Sequence, residues 1–139
     1  MNQLARGTIY NEQRYKQAKL ISFAGLAGVF PLATITPSDI DFIVERSSRF
    51  LIGEFKVRGQ PIPTGQKILM DALLRGLPGS WVFEAEHACA GDSVIEAAEC
   101  SVLRCRTVIA SGLREMLYQS GEISVLALCE RWTDTFHPA

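Results

Sequence analysis

The fold is decided by the stretch Thr36-Pro-Ser-Asp-Ile-Asp-Phe-Ile-Val-Glu-Arg-Ser-Ser-Arg-Phe-Leu-Ile-Gly-Glu-Phe-Lys-Val-Arg58, which predicts two short strands joined by a polar turn. Apolar and acidic residues alternate along the first strand, with Ile40, Phe42 and Val44 on one parity and Asp39, Asp41 and Glu45 on the other. Because side chains of a strand alternate between its faces, the apolar set can pack on a core while the acids collect opposite. The turn Arg46–Arg49 is short enough for an antiparallel hairpin.

The second strand carries an acid and a base at a spacing of two residues. Glu54 and Lys56 therefore point the same way, and Gly53 before them leaves room for a close approach. Carboxylates that meet from neighbouring strands form a hard oxygen site, which suits Mg²⁺ or Mn²⁺ better than zinc. A lysine beside such a site can orient or deprotonate a water, a chemistry that suits phosphodiester hydrolysis. The alternative is ordinary: Glu-x-Lys on an exposed strand is commonly a solvated ion pair.

A helix over Gly65–Arg75 is predicted next, capped by Thr64 and ended by Gly76 and Pro78. Its predicted apolar stripe consists of Ile68, Leu69, Ala72 and Leu73. Gln66 and Lys67 lie in its first turn, where they could hold a phosphate or an attacking water. For Gln66 taken alone, an ordinary residue at a helix start is the simpler interpretation.

The remaining segments predict further strands and helices around this unit. Trp81–His87 predicts a strand parallel to the Glu-x-Lys strand, because a helical crossover separates the two. Further elements are predicted as follows: a helix over 10–24, a strand over Val29–Ile35, a strand over Ser101–Thr107 with Arg104 and Arg106 on one face, and helices over Leu113–Gln119 and Glu122–Trp132. The last two helices suit either a lid on the core or a dimer face.

The order of an acid, a hairpin, Glu-x-Lys and a helix that opens with Gln resembles the PD-(D/E)xK nuclease superfamily. The matching residues are Asp41, then Glu54 and Lys56 in Gly-Glu-Phe-Lys, and Gln66, within residues 30–87. The resemblance implies that Asp41, Glu54 and the backbone carbonyl of Phe55 bind the divalent metal and that Lys56 is the catalytic lysine. Either Asp39 or Asp41 could be the first ligand, and Asp41 is preferred because it lies deeper in the predicted strand. Some members place an acid of the first helix near the metal, a role open to Glu12.

The resemblance also implies a fold and a substrate. The fold class expected is α/β, a restriction-endonuclease-like mixed β-sheet flanked by helices, in one domain over 1–139 with a core over 30–87 and a C-terminal extension over 94–135. The expected function is Mg²⁺-dependent (or Mn²⁺-dependent) hydrolysis of DNA, by a small endonuclease of a repair, phage or mobile-element type. Phosphate contacts are expected from some of Arg46, Arg49, Arg58, Lys67, Arg104 and Arg106. A homodimer is plausible because one site per chain cuts one strand.

Composition sets outer limits on these expectations. The chain has 139 residues, 47% of them hydrophobic and 21% charged, as expected of a globular domain. The net charge of −1 gives no global basic field. Four cysteines without a Cys-x-x-Cys pair suggest reduced thiols in an intracellular, cytoplasmic protein. The uncharged run over 20–38 is interrupted by Gly and Pro, so no membrane span is expected.

Two other functions compete with the nuclease hypothesis. A non-catalytic relative would use the same fold as a nucleic-acid-binding or assembly module, with the motif reduced to ion pairs. Metal occupancy at Asp41 and Glu54 separates it from the nuclease. A small-molecule hydrolase that uses the same metal site is weaker, because the sequence gives no sign of a closed substrate pocket.

Overall fold

The computed structural model describes residues 24–26, 29, 40–88 and 94–136. Contacts group the chain into two units, Met1–Asp39 and Ile40–Ala139. In the first unit Ala24–Leu26 forms a 3-10 helix and Val29 lies in a turn. The rest of the predicted helix over 10–24 and of the predicted strand over 29–35 lies outside the described residues.

The second unit contains a five-stranded sheet whose strands follow one another in chain order. The strands are β1 (Phe42–Arg46), β2 (Arg49–Val57), β3 (Trp81–His87), β4 (Ser101–Ile109) and β5 (Gly112–Leu117). Helix α1 (Thr64–Gly76) joins β2 to β3, and helix α2 (Val125–Phe136) follows β5. Only β2 and β3 pair in parallel, as predicted, and the other neighbours are antiparallel. The α/β class with a mixed sheet and flanking helices is therefore confirmed.

The predicted hairpin is confirmed, with a two-residue turn at its tip. Arg46 pairs with Arg49, and Ser47 and Ser48 between them have φ angles of 54° and 64°. Positive φ at both central residues is the conformation that joins two twisted antiparallel strands most tightly. The register then runs back along β1 until Phe42 lies opposite Gly53.

The prediction that the apolar residues of β1 are all buried is wrong in part. Phe42 packs on the core, whereas Ile40 and Val44 are 37% and 41% exposed. The reason is that β1 is an edge strand of the sheet. Asp41 also differs from expectation, because it lies one residue before β1 rather than within it.

Two apolar cores lie on the opposite faces of the sheet. On one face α2 contributes Leu128 and Trp132, which pack with Phe83 of β3 and Val102 of β4. On the other face α1 contributes Met70 and Leu74, which pack with Ile52 and Val82. Consecutive residues along β2 and along β3 thus pack in different cores. This explains why every residue from Leu51 to Glu54 is buried.

Helix α1 has the expected position but different details. Its N-cap residue is Pro63, and Thr64 is already helical rather than the cap. The buried residues are Met70 and Leu74, while Ile68, which was predicted to face inward, is 65% exposed. Met70 and Leu74 are spaced at i and i+4, so they lie on the same side of the helix, toward the sheet.

The predicted helix over Leu113–Gln119 is wrong, because this segment forms the edge strand β5. Gly112 has a φ angle of 118°, which lets the chain reverse tightly after β4 and pair back on it from Ile109 to Arg104. The predicted helix over Glu122–Trp132 is correct in type but begins at Val125 and ends at Phe136. No helix in the described part of the chain is long and apolar enough to cross a membrane.

Candidate active site

The carboxyl ends of the parallel pair β2–β3 bring four charged side chains to one face of the sheet. Glu54 lies beside Glu84, and Lys56 lies beside Glu86. Side chains at paired positions share a face, here the face that α1 covers. Glu54 and Glu86 are 7% and 6% exposed, so two carboxylates are largely removed from water at this site.

Asp41 reaches the same segment from the neighbouring strand. Its Oδ2 accepts a hydrogen bond of 2.9 Å from the backbone N–H of Phe55, the residue between Glu54 and Lys56. Phe42 pairs with Gly53, so Asp41 continues this register opposite Glu54. In an antiparallel pair the N–H and C=O of one residue point to the same neighbouring strand, so the Phe55 carbonyl faces the Asp41 side as well. The structure therefore holds the Asp41 carboxylate against the backbone of the Glu-x-Lys segment.

Asp41 is also open toward the other face of the sheet. It borders a cavity of about 330 Å³ together with Phe55, His87, Ile95 and Ala97. Phe55 and His87 alternate with Lys56 and Glu86, so their side chains leave the opposite face. Asp41 thus lies at the sheet edge, between the acidic face and this cavity.

Lys56 and Gln66 occupy the neighbourhood of the acids but have different surroundings. The Lys56 ammonium donates a 2.8 Å hydrogen bond to the carbonyl of Gln60, in the loop that leads into α1. Gln66 lies one helical turn before Met70 and continues its inward stripe toward the carboxyl ends of β2 and β3. The side-chain oxygen of Gln66 is buried and has no hydrogen-bond partner among the described residues.

Glu84 is already engaged by a base. It accepts hydrogen bonds of 2.7 and 3.1 Å from the Arg104 guanidinium, in the bidentate geometry that is strongest for this pair. Arg104 also approaches Glu115 at 3.4 Å. Burial alone would lower the pKa of Arg104, but the hydrogen bonds with Glu84 and its charge raise the pKa above its ordinary value. Arg104 therefore stays charged and holds Glu84 in a structural ion pair.

Glu86 is stabilised in its charged form as well. A hydrogen bond with Ser120 holds the pKa of Glu86 below its ordinary value of 4.5 against the opposing effect of burial, and the charge of Arg58 acts in the same direction. The Arg58 Nε lies 3.3 Å from the Glu86 carboxylate. Both acids of β3 are therefore paired with arginines.

The donor set fits a magnesium ion. Two carboxylates and one carbonyl are hard oxygen ligands, and Mg²⁺ commonly binds through one or two carboxylates and keeps several waters. The unpartnered oxygen of Gln66 is a further acceptor, suited to a hydrogen bond from such a water. Within residues 40–88 and 94–136 no group of three His, Cys, Asp or Glu side chains could hold a metal. Asp39 and Glu12, the two other candidate acids, lie outside the described residues.

The predicted phosphate contacts divide into exposed and engaged side chains. Arg46 and Lys67 are exposed at the hairpin tip and in the first turn of α1. The guanidinium of Arg49 stacks over the Phe136 ring at 4.7 Å from its centroid. The other three candidates form ion pairs: Arg58 with Glu86, Arg104 with Glu84, and Arg106 with Asp71. Arg106 is buried, so its role is structural rather than contact with a phosphate.

Sequence reasoning did not count Glu84 and Glu86 among the site residues, and it did not predict their ion pairs with Arg104 and Arg58. Glu84 and Glu86 alternate with Phe83 and Ala85, and this pattern gave the only local sign that they share one face. Their alignment with Glu54 and Lys56 depends on the parallel register, which the sequence does not state.

Comparison of the chain with protein-family models, with curated proteins and with solved structures finds no match.

Proposed function

We propose that this chain is a metal-dependent nuclease of the PD-(D/E)xK type that hydrolyses phosphodiester bonds in DNA. The observation that carries the proposal is the hydrogen bond of Asp41 to the backbone N–H of Phe55. It holds the acid that precedes β1 against the Glu-x-Lys segment of β2, and this proximity supports the resemblance. The parallel β3 after helix α1 supports a restriction-endonuclease-like topology for the unit.

In this proposal Asp41, Glu54 and the Phe55 carbonyl hold one Mg²⁺ or Mn²⁺. When bound, the ion supplies positive charge for the phosphate oxygens and makes its bound water a better nucleophile. The low exposure of Glu54 keeps water away from that carboxylate and strengthens its electrostatic interactions. Oxygen ligands alone make the site selective for hard cations.

Lys56 and Gln66 act on the substrate and on the attacking water. The Lys56 ammonium turns from the Gln60 carbonyl to a phosphate oxygen, where it offsets the negative charge that develops during hydrolysis. The buried oxygen of Gln66 accepts a hydrogen bond from the water and orients it. Arg46 and Lys67 bind backbone phosphates without reading the sequence. A second copy of the chain provides the site for the other strand.

The test is a cleavage panel of supercoiled plasmid, linear duplex, single strand, branched DNA and RNA, each with Mg²⁺, Mn²⁺ or EDTA. We expect metal-dependent cutting that falls at least about 100-fold in Glu54→Gln, Lys56→Met and Asp41→Asn. The exposed residues Glu130 and Arg75 provide matched controls, and Glu130→Gln and Arg75→Gln should retain activity. Equal cleavage by wild type and Glu54→Gln would refute the assignment.

A non-catalytic binding module is the second candidate, and one observation favours it. The Lys56 ammonium and one Asp41 oxygen are both engaged with the backbone, which is how a purely structural motif would use them. Titration of Mn²⁺ into wild type and Glu54→Gln separates the two functions. If the wild type binds no Mn²⁺ and cleaves no DNA but still binds DNA, the chain is a binding module.

A further inference from the structure

A second cavity lies on the face of the sheet opposite to Glu54 and Lys56. Its volume is about 620 Å³, and its lining includes Trp81, Thr107 and Arg114 from three consecutive strands. Thr107 pairs with Trp81 on one side and with Arg114 on the other, so these three side chains share the α2 face. Pockets of roughly 300–1,000 Å³ commonly hold small molecules.

The charge of this cavity is positive. Arg49, Arg106, Arg114 and Arg131 line it, and no Asp or Glu does so among the described residues. Arg106 is paired with Asp71, but Arg49, Arg114 and Arg131 form no ion pair with another described residue, in contrast to Arg104 and its two acids. A guanidinium group binds phosphate oxygens through a fixed fork of donors. The cavity therefore suits an anionic group such as a phosphate.

The cavity also offers flat apolar surfaces. Trp81, Tyr118 and Phe136 contribute rings to the lining. The Trp81 and Phe136 rings are 5.8 Å apart and steeply inclined to each other, so they form a corner rather than a closed stack. Nucleic-acid bases stack on such aromatic side chains without regard to sequence.

An unpartnered polar atom provides an independent observation. The Thr107 hydroxyl is buried and has no hydrogen-bond partner among the described residues, although its residue lines the cavity. Buried hydroxyl groups of folded proteins are rarely left without a partner, so an unpartnered one calls for an explanation. A ligand with its own donors or acceptors would supply the missing hydrogen bond.

We propose that this cavity binds a nucleotide, with the phosphate on Arg114 and Arg131, the base against Trp81 and Phe136, and the Thr107 hydroxyl bonded to a polar atom of the ligand. The same chemistry is present in a free nucleoside monophosphate and in the phosphorylated end of a DNA strand. The site lies on the opposite face from Glu54 and Lys56, so binding here does not require the metal or the cleavage reaction.

The test measures binding by isothermal titration calorimetry, with the full chain at low salt and in EDTA to suppress cleavage. The probes are dAMP, deoxyadenosine, inorganic phosphate, and a short single strand with or without a 5′-phosphate. We expect dAMP to bind at least about tenfold tighter than deoxyadenosine or phosphate, because only dAMP makes both sets of contacts. A phosphorylated strand that binds tighter than dAMP identifies a strand end as the ligand, and weaker binding identifies the free nucleotide.

Variants then localise the site. Arg114→Ala and Arg131→Gln should each weaken dAMP binding about tenfold or more, and Thr107→Val should weaken it less. Arg75→Gln, which removes an exposed arginine of α1, should change nothing. Arg131 is exposed on α2, so its substitution is not expected to disturb folding, which circular dichroism checks. Absence of dAMP binding, binding of phosphate as tight as that of dAMP, or equal binding by wild type, Arg114→Ala and Arg131→Gln would overturn the proposal.

Discussion

Substitution of Gly53 by alanine should destabilise the protein, although the change adds only one methyl group. Gly53 pairs with Phe83 of β3, and a Cβ built on it would lie 2.5 Å from both Cε atoms of that ring. Phe83 is fully buried, and its ring packs edge-on against Phe42 and Phe55 at centroid distances of 5.4 and 6.1 Å. The ring therefore cannot move aside without disturbing two others.

The expected magnitude follows from two opposing effects. Overpacking a core by one methyl group costs about 1–3 kcal/mol. Replacing Gly by Ala also restricts the unfolded chain, which stabilises by about 0.4–1 kcal/mol. We therefore expect a net loss of about 1–2 kcal/mol in the free energy of unfolding. With a urea m-value of about 1–3 kcal/mol/M, the denaturation midpoint should fall by about 1 M.

Gly65 provides the matched control. It lies in the first turn of α1, and a Cβ there would meet nothing within 4 Å. Gly65→Ala should stabilise by up to about 1 kcal/mol, because alanine favours the helix. The double variant Gly53→Ala with Phe83→Leu should lose less stability than the sum of the two single variants, since the shorter side chain leaves space for the new methyl. A Gly53→Ala protein as stable as the wild type would refute the steric argument.

Three further predictions concern titratable side chains. Asp71→Ala should lower the free energy of unfolding by about 1–2 kcal/mol in urea titrations, because it leaves the buried Arg106 guanidinium without the acid that it contacts at 2.6 Å, and an unchanged midpoint would contradict this. The pKa of Glu86 is lowered in the folded state, so its contribution to stability is present above the ordinary pKa of 4.5 and is lost as the pH falls through the lowered value. Ser120→Ala should therefore reduce the loss of melting temperature between about pH 6 and pH 3, and an unchanged pH profile would show that the hydroxyl contributes nothing. Burial raises the pKa of Cys105 from 9.0 to about 12, so at about pH 8 its alkylation by iodoacetamide should be about a thousandfold slower than in the unfolded chain, as peptide mass mapping can measure.

The hairpin and the helix α1 after it could be predicted because their signals are local. The alternation around Asp41, the Glu-x-Lys spacing and the helix that begins near Gly65 each lie within about ten residues of sequence. Gly53 was correctly interpreted as a site of close approach, although its partner, Phe83, could be identified only from the structure.

The error in the C-terminal region shows what a periodic pattern leaves undetermined. Leu113, Met116 and Leu117 are spaced at i, i+3 and i+4, which matches one face of a helix. In β5 these residues instead lie on both faces of an edge strand, with exposures of 61%, 50% and 70%. The pattern predicts a helix only if its apolar residues are buried, and here they are not.

The two candidate sites differ in how far the sequence could predict them. Asp41, Glu54 and Lys56 come from one hairpin, so their proximity follows from pairing. The arginines of the second cavity come from β2, β4, β5 and α2, and only the tertiary structure brings them to one place. Side chains that meet over such separations give no spacing signal, because the intervening lengths are set by unrelated loops.

The two-residue turn at Ser47 and Ser48 restricts how the length of this hairpin can change in evolution. Each pair of the ladder is fixed by counting outward from the turn, so Asp41 lies opposite Glu54 only while the turn keeps its length. An insertion of one residue in the turn would place a different residue opposite Glu54, and the carboxylate of Asp41 would lose the N–H of Phe55. Extending both strands by one residue on the turn side would keep the acids opposite each other but move the residues next to the turn to the other face. Insertions and deletions here are therefore tolerated only in combinations that preserve both the pairing and the face.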